Sequence, residues 1–206
     1  VAGQRGLSLG PVGFGAGLLL AVCGAALGGC ERGGKTPEDA YQRLSEAVAA
    51  RDGAQLYDAL DLETRWSWMT VQRAQRESYD IVLSNYPPGP ERDRSLHRFE
   101  PGAHSDSATA LFARQLDPAV WSELAATIAA IGPIPRLVGD GAEVVAAAGA
   151  RTLPFRKRSD GHRGWGWGYA GLVTQGEDIK RRAIADLDLV RMSAVDYERA
   201  AARQSR

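Results

Sequence analysis

The sequence predicts an α+β domain: helices first, then a four-stranded antiparallel meander, then one long closing helix. Three observations carry this reading. Between Thr36 and Ile131, apolar residues recur three and four apart, the spacing of one helix face. From Ile134 to Tyr169 the period shortens to two and glycine-bearing turns interrupt it. From Gln175 to Arg203 the helical period returns without a break.

A leader precedes these elements. Gly6 to Gly29 carries no charge, with Arg5 before it and Glu31 and Arg32 soon after. A membrane-spanning helix needs about 20 mainly apolar residues. The length suffices, but eight of these 24 residues are glycine, and each glycine costs about 1 kcal/mol against alanine inside a helix. The compact apolar core, Leu18 to Leu27, matches the h-region of a secretory signal. It runs into Leu27-Gly28-Gly29-Cys30, which resembles the lipobox of bacterial lipoproteins. That resemblance implies cleavage before Cys30, acylation of its thiol (the palmitate class of modification) and a signal peptide over residues 1–29. Cys23 follows Ala21-Val22 and fits the pattern less well. The alternative is an uncleaved anchor helix that ends at a stray cysteine. Each buried CH₂ of an acyl chain adds about 0.8 kcal/mol, so two chains make attachment stable. Residues 30–35 then form a lipidated tether. Glu31 to Lys35 reach at most about 18 Å, which would hold the folded body, residues 36–206, close to a membrane outside the cytoplasm.

Only Arg5 is charged ahead of Cys30, so 24 basic and 25 acidic residues follow it. This balance gives no electrostatic reason to expect nucleic acid. Both cysteines lie in the leader or at its end, leaving the body without a disulfide or thiolate chemistry. The remaining length suits a single domain.

In the body, Thr36-Pro37-Glu38-Asp39 opens a helix: Thr36 caps, Pro37 suits the first position, and the acids favour the positive end. Ala40, Leu44, Ala47 and Val48 form its apolar face, and Asp52-Gly53 stops it. Leu56, Tyr57 and Leu60 mark a short second helix. A longer one is expected over Leu62 to Asn85, with Trp66, Met69 and Val82 buried, ended by Tyr86-Pro87-Pro88-Gly89-Pro90. Residues 87–106 read as irregular. Further helices follow over Asp106 to Leu116, and after the Asp117 cap with Val120, Trp121, Leu124 and Ile128 inward, closed by Gly132-Pro133.

The strands are expected at Ile134–Val138, Ala142–Ala147, Arg151–Arg158 and His162–Tyr169, with turns at Gly139-Asp140-Gly141, Ala148-Gly149 and Ser159-Asp160-Gly161. In the last hairpin, a two-residue Asp160-Gly161 turn sets Phe155 against Gly166. A three-residue loop sets Phe155 against Trp165 and Leu153 against Trp167, which gathers the large apolar groups on one face. A one-residue slip flips every side chain, so burial selects the three-residue loop with Gly161 in a left-handed bulge. The closing helix carries Ile179, Ala183, Leu187, Val190, Ala194, Tyr197 and Ala201 on one stripe and is roughly 43 Å long.

Four groups of residues are candidates for function. Leu153, Phe155, Trp165, Trp167 and Tyr169 form an aromatic strand face that either lines a pocket for a sugar-like or sterol-like ligand or fills the core under covering helices. Ile179, Leu187, Val190 and Tyr197 offer a stripe for a protein partner. Arg151, Arg156, Lys157, Arg158, His162 and Arg163 could meet anionic headgroups, each worth about 1 kcal/mol near such a surface, or simply solvate a hairpin end. His97, Glu100 and His104, with Asp106 nearby, have metal-ligand chemistry, but Pro101-Gly102 between them reads as a helix break, so a solvated loop is preferred and no metal is assigned. No nucleophile elbow, phosphate loop or dinucleotide fingerprint is present, and no cofactor is expected.

The opening Thr36-Pro37-Glu38-Asp39-Ala40-Tyr41, the Arg51-Asp52-Gly53 break and the late meander together resemble the nuclear transport factor 2-like superfamily. The resemblance covers residues 36–60 and 134–169. It implies N-terminal helices packed on a curved antiparallel sheet, often around a pocket. The catalytic aspartate and oxyanion donors of its isomerases have no matching positions here, so no catalytic residue carries over. The expected role is non-catalytic binding or assembly in the bacterial cell envelope. The alternatives are a carrier of a small apolar ligand under the last hairpin and an isomerase- or hydrolase-like enzyme in the same pocket.

Overall fold

The computed structural model describes residues 35–158 and 166–204. The chain divides into two units, Val1–Cys30 and Glu31–Arg206, and every described residue belongs to the second. Cys30, Trp165, His162, Arg163 and the Ser159-Asp160-Gly161 turn lie outside the described residues. The expected α+β architecture is present: six helices, a four-stranded antiparallel sheet in the order β1-β2-β3-β4, and a long C-terminal helix.

Side-chain caps set most helix starts. In α1 (Pro37–Ala50) the Thr36 hydroxyl accepts the Asp39 N–H while the Asp39 carboxylate accepts the Thr36 N–H, each at 3.2 Å. Arg51 ends it in the left-handed region, φ 51°. Asp52 then caps α2 (Gly53–Ala59), accepting from Ala54 and Gln55. Gly53 therefore begins a helix, and a Cβ there would lie 2.6 Å from Cβ of Ala113. Asp61 caps α3 (Leu62–Asn85), Ser107 caps α5 (Ala108–Gln115) and Asp117 caps α6 (Pro118–Ile131).

Two expectations about this helical half are corrected. Residues 87–106 are not irregular: α4 spans Pro90–Ala103 with Pro101 inside it. Pro101 lies in the last turn, where its missing N–H forfeits a single bond near the helix end. Gly102 is buried against Gln75 of α3, too close for a side chain. Secondly, Trp66 and Met69 are 57% and 49% exposed. Trp68 and Val71 are buried in their place, because α5 and α7 pack against that side of α3. Trp68 meets the Phe112 ring edge-on at 5.3 Å. Val82 is buried as expected, in a second cluster with Tyr86, Phe99, Val190 and Ala194.

In the sheet, β1 (Leu137–Asp140) and β2 (Glu143–Ala148) join through Gly141-Ala142, and β2 joins β3 (Arg151–Arg158) through Gly149-Ala150. Gly141 and Gly149 take φ of 62° and 61°, which such tight turns require and which glycine adopts without strain. The register of β4 (Gly166–Tyr169) differs from the expected one. Phe155 pairs with Tyr169, Arg156 with Gly168, Lys157 with Trp167 and Arg158 with Gly166. The slip from the expected Phe155–Trp165 pair is four residues, an even number. Leu153, Phe155, Trp167 and Tyr169 thus keep the shared face that burial demands.

α1 and α6 cover the inner sheet face, bringing Tyr41 and Leu124 into one core with Ala146, Leu153, Phe155 and Tyr169. The far edge of β4 is tied to the α2–α3 junction: the Asp61 N–H donates to the Tyr169 carbonyl at 3.0 Å. From that junction α3 runs away from the sheet beside α7 (Val173–Gln204), roughly 48 Å long. The two helices are parallel, since Ser67 meets Glu177 near their starts and Asn85 meets Glu198 near their ends.

Candidate functional site

The aromatic strand face is a packed core in the described residues. Leu153, Phe155 and Tyr169 are buried, and Trp167 packs half-buried on the same cluster. Phe155 sits between two tyrosines, edge-on to Tyr41 at 6.3 Å and tilted to Tyr169 at 6.0 Å. Such pairs each add about 0.5–1.5 kcal/mol beyond area burial. These rings fill the space that a ligand under the hairpin would need. Burial, followed by the negative charge of Glu123, pushes the Tyr169 phenol up to about 12.

Three arginines of the hairpin, Arg151, Arg156 and Arg158, are engaged within the protein. The Arg156 guanidinium donates to Glu63 at 2.7 Å and to Glu143 at 2.9 Å, with the buried Asp61 carboxylate 3.7 Å away. Arg158 is buried and donates to the backbone carbonyls of Asp58, at 2.7 Å, and Leu60. Arg151 donates to the Ala126 carbonyl at the far end of the strand. A membrane headgroup would have to compete with these bonds for each guanidinium. The pattern joins the sheet to the α2–α3 junction and to α6.

His97 and Glu100 lie on α4, and His104 caps its C-terminal end. Each imidazole Nδ1 approaches Glu100, at 3.4 Å and 3.7 Å, and His104 also meets the Tyr79 ring edge-on at 5.3 Å. All three side chains are well exposed. Among the described residues no group of three His, Cys, Asp or Glu side chains converges closely enough to hold a metal ion.

The α7 stripe turns inward. Leu187 and Val190 are buried against α3, and Tyr197 tilts onto Tyr86 at 4.8 Å. A hydrogen bond with Glu91, then burial, raises the Tyr197 phenol above its ordinary value. Ile179 is half-buried beside the core. A different set faces solvent: Ile184, Leu189, Met192 and Val195 are exposed. At 100° per residue they fall within about 140° of the helix circumference. They were legible in the sequence as a second apolar arc beside the main stripe, with Asp188 and Arg191 between them.

One further feature was not legible in the sequence, an open groove of about 530 Å³ between α1 and α6. Tyr41, Gln42, Ser45, Glu46, Ile128 and Pro133 are among the residues that line it. The Tyr41 hydroxyl donates to the Gly132 carbonyl at 2.6 Å across its floor, and burial raises that phenol above its ordinary value. Only the packing of two distant helices makes this surface.

No helix among the described residues is long and apolar enough to cross a membrane. No protein-family model, curated protein or solved structure matches this chain.

Proposed function

We propose that this chain is an exported bacterial lipoprotein, anchored through Cys30, with a non-catalytic binding or assembly role at the cell envelope. The anchor rests on Leu27-Gly28-Gly29-Cys30 and the leader before it. The binding role rests on α7: one face is spent on α3, and Ile184, Leu189, Met192 and Val195 remain exposed on another. Single exposed apolar residues are ordinary, but four on one helix make an apolar strip of the kind that partners cover.

The groove between α1 and α6 supports a second reading, a carrier of a small apolar ligand. Its volume falls within the range of ligand sites and its lining is mainly carbon. This relocates the carrier hypothesis from beneath the last hairpin, where the rings fill the space.

Native mass spectrometry of the protein drawn from its own envelope separates these readings. A chain starting at Cys30 with diacyl mass supports the anchor; an intact leader overturns it. A stoichiometric protein partner, lost in the Leu189→Asp/Met192→Asp variant, supports the α7 role. A bare chain, or added mass of a few hundred daltons that Ile128→Trp removes, overturns it, the latter in favour of the groove.

A further inference from the structure

The free edge of β1 is complementary to itself. β1 ends the sheet, and among the described residues nothing pairs with its outer side. The two-residue Gly141-Ala142 turn makes Asp140 and Glu143 a hydrogen-bonded pair, so bonding toward β2 alternates and falls next on Val138. The outward groups on this edge are then those of Leu137 and of Gly139: Gly139 has a φ of 134°, but the planar peptide units on either side of it carry the Val138 C=O and the Asp140 N–H toward β2, which turns its own N–H and C=O outward. Pro135, the next outward position, has no N–H and terminates the usable edge.

The side chains along this edge are arranged symmetrically about Val138, which is 57% exposed. Arg136 lies two residues before it and Asp140 two residues after, both exposed and neither in an ion pair among the described residues. The charge of Asp140 is also poorly matched within its own sheet. Its cross-strand neighbour is Glu143, and the guanidinium beside Glu143, that of Arg156, is already shared by Glu143, Glu63 and Asp61. Like charges opposite each other destabilise a strand pair.

We propose that β1 pairs antiparallel with β1 of a second copy of this chain, on a two-fold axis through Val138, to form a continuous eight-stranded sheet. In this register Leu137 faces Gly139 of the other copy, so the outward N–H and C=O groups of both residues meet their counterparts in four hydrogen bonds. Val138 faces Val138 in a pair without mutual backbone bonds. Arg136 faces Asp140 twice, giving each unmatched acid a cation. The axis that satisfies the backbone is the same one that satisfies the charges, and a one-residue shift in either direction loses both. A two-fold contact of this kind closes on itself and uses up the β1 edge of both copies.

The proposal is independent of the lipid anchor and of the α7 role, and its test uses the full chain in its own envelope. Opposed residues in such a pair have Cα atoms about 4.5 Å apart, within disulfide reach. Val138→Cys should therefore cross-link to a second copy under mild oxidation, with the bond mapped by peptide mass spectrometry to position 138 of both chains. Thr152→Cys, also solvent-exposed but on β3, should not. In the Val138→Cys background, Arg136→Asp or Asp140→Arg should each slow cross-linking about tenfold by setting like charges opposite each other. The double swap Arg136→Asp/Asp140→Arg should restore it. Circular dichroism confirms folding of each variant. Equal cross-linking at 138 and 152, failure of the double swap to recover, or cross-linking at 138 to a different protein would each overturn self-pairing.

Discussion

Gly168 lies against the backbone of Asp61 so closely that a Cβ would stand 2.7 Å from the Asp61 Cα and 2.7 Å from the Leu60 carbonyl oxygen. This is where the α2–α3 junction closes on the sheet edge, beside the hydrogen bond from Asp61 to Tyr169. The obstructing atoms are backbone and have no rotamer to escape into. Gly168→Ala is expected to cost about 1–3 kcal/mol, the range for overpacking, read as a lower urea midpoint. An unchanged midpoint would show that the junction stands off from β4.

Alkaline pH should act through Tyr169. Its phenol rises from 10.0 to about 12 in the folded chain, so between these values the folded state keeps a proton that the unfolded chain has lost. Stability from this group is intact below pH 10 and is lost as pH climbs toward 12, amounting to about 2–3 kcal/mol. Tyr169→Phe removes the titration. Its stability should fall less steeply than wild type across that window in urea titrations; parallel curves would contradict the buried phenol.

The last turn of α4 predicts opposite signs at adjacent positions. Pro101→Ala restores a helical N–H and should raise stability by about 1–2 kcal/mol. The neighbouring Pro101 carbonyl, which accepts from the Ser105 hydroxyl at 2.6 Å, is unaffected by the change. Gly102→Ala would favour an isolated helix, but its Cβ would meet the Gln75 Cβ at 2.4 Å, so a loss of about 1–3 kcal/mol is expected. Thermal melts of the two variants moving in the same direction would reject this packing.

Leu187 and Leu189 lie two residues apart on α7 and have different fates. Leu187→Ala opens a cavity in the seam with α3 and should cost about 2–5 kcal/mol. Leu189→Ala removes an exposed side chain and should stay within about 0.5 kcal/mol of wild type. Comparable losses in calorimetry would place both on the same buried face.

The helix boundaries were readable because their causes are local. Thr36, Asp61 and Asp117 each satisfy N–H groups within three residues, and α3 occupies the expected Leu62–Asn85. The inward stripe of α7 and the face shared by Leu153, Phe155 and Tyr169 were equally legible, because period alone determines which side chains lie together. Pro101-Gly102 misled for the same reason: the local preference is a break, and packing of α4 on α3 overrides it.

The chain's own order of residues thus determined the α+β class, the positions of most elements and the two apolar faces. Tertiary structure decided what each face meets. It turned the α7 stripe toward α3, filled the space beneath the hairpin with Tyr41, exposed Trp66 while burying Trp68, and displaced the β3–β4 register by four residues without changing its parity. These outcomes depend on contacts between residues far apart in sequence, such as Tyr41 with Gly132 or Arg158 with Leu60. Periodicity says that a face is buried, and only the packing of distant elements says against what.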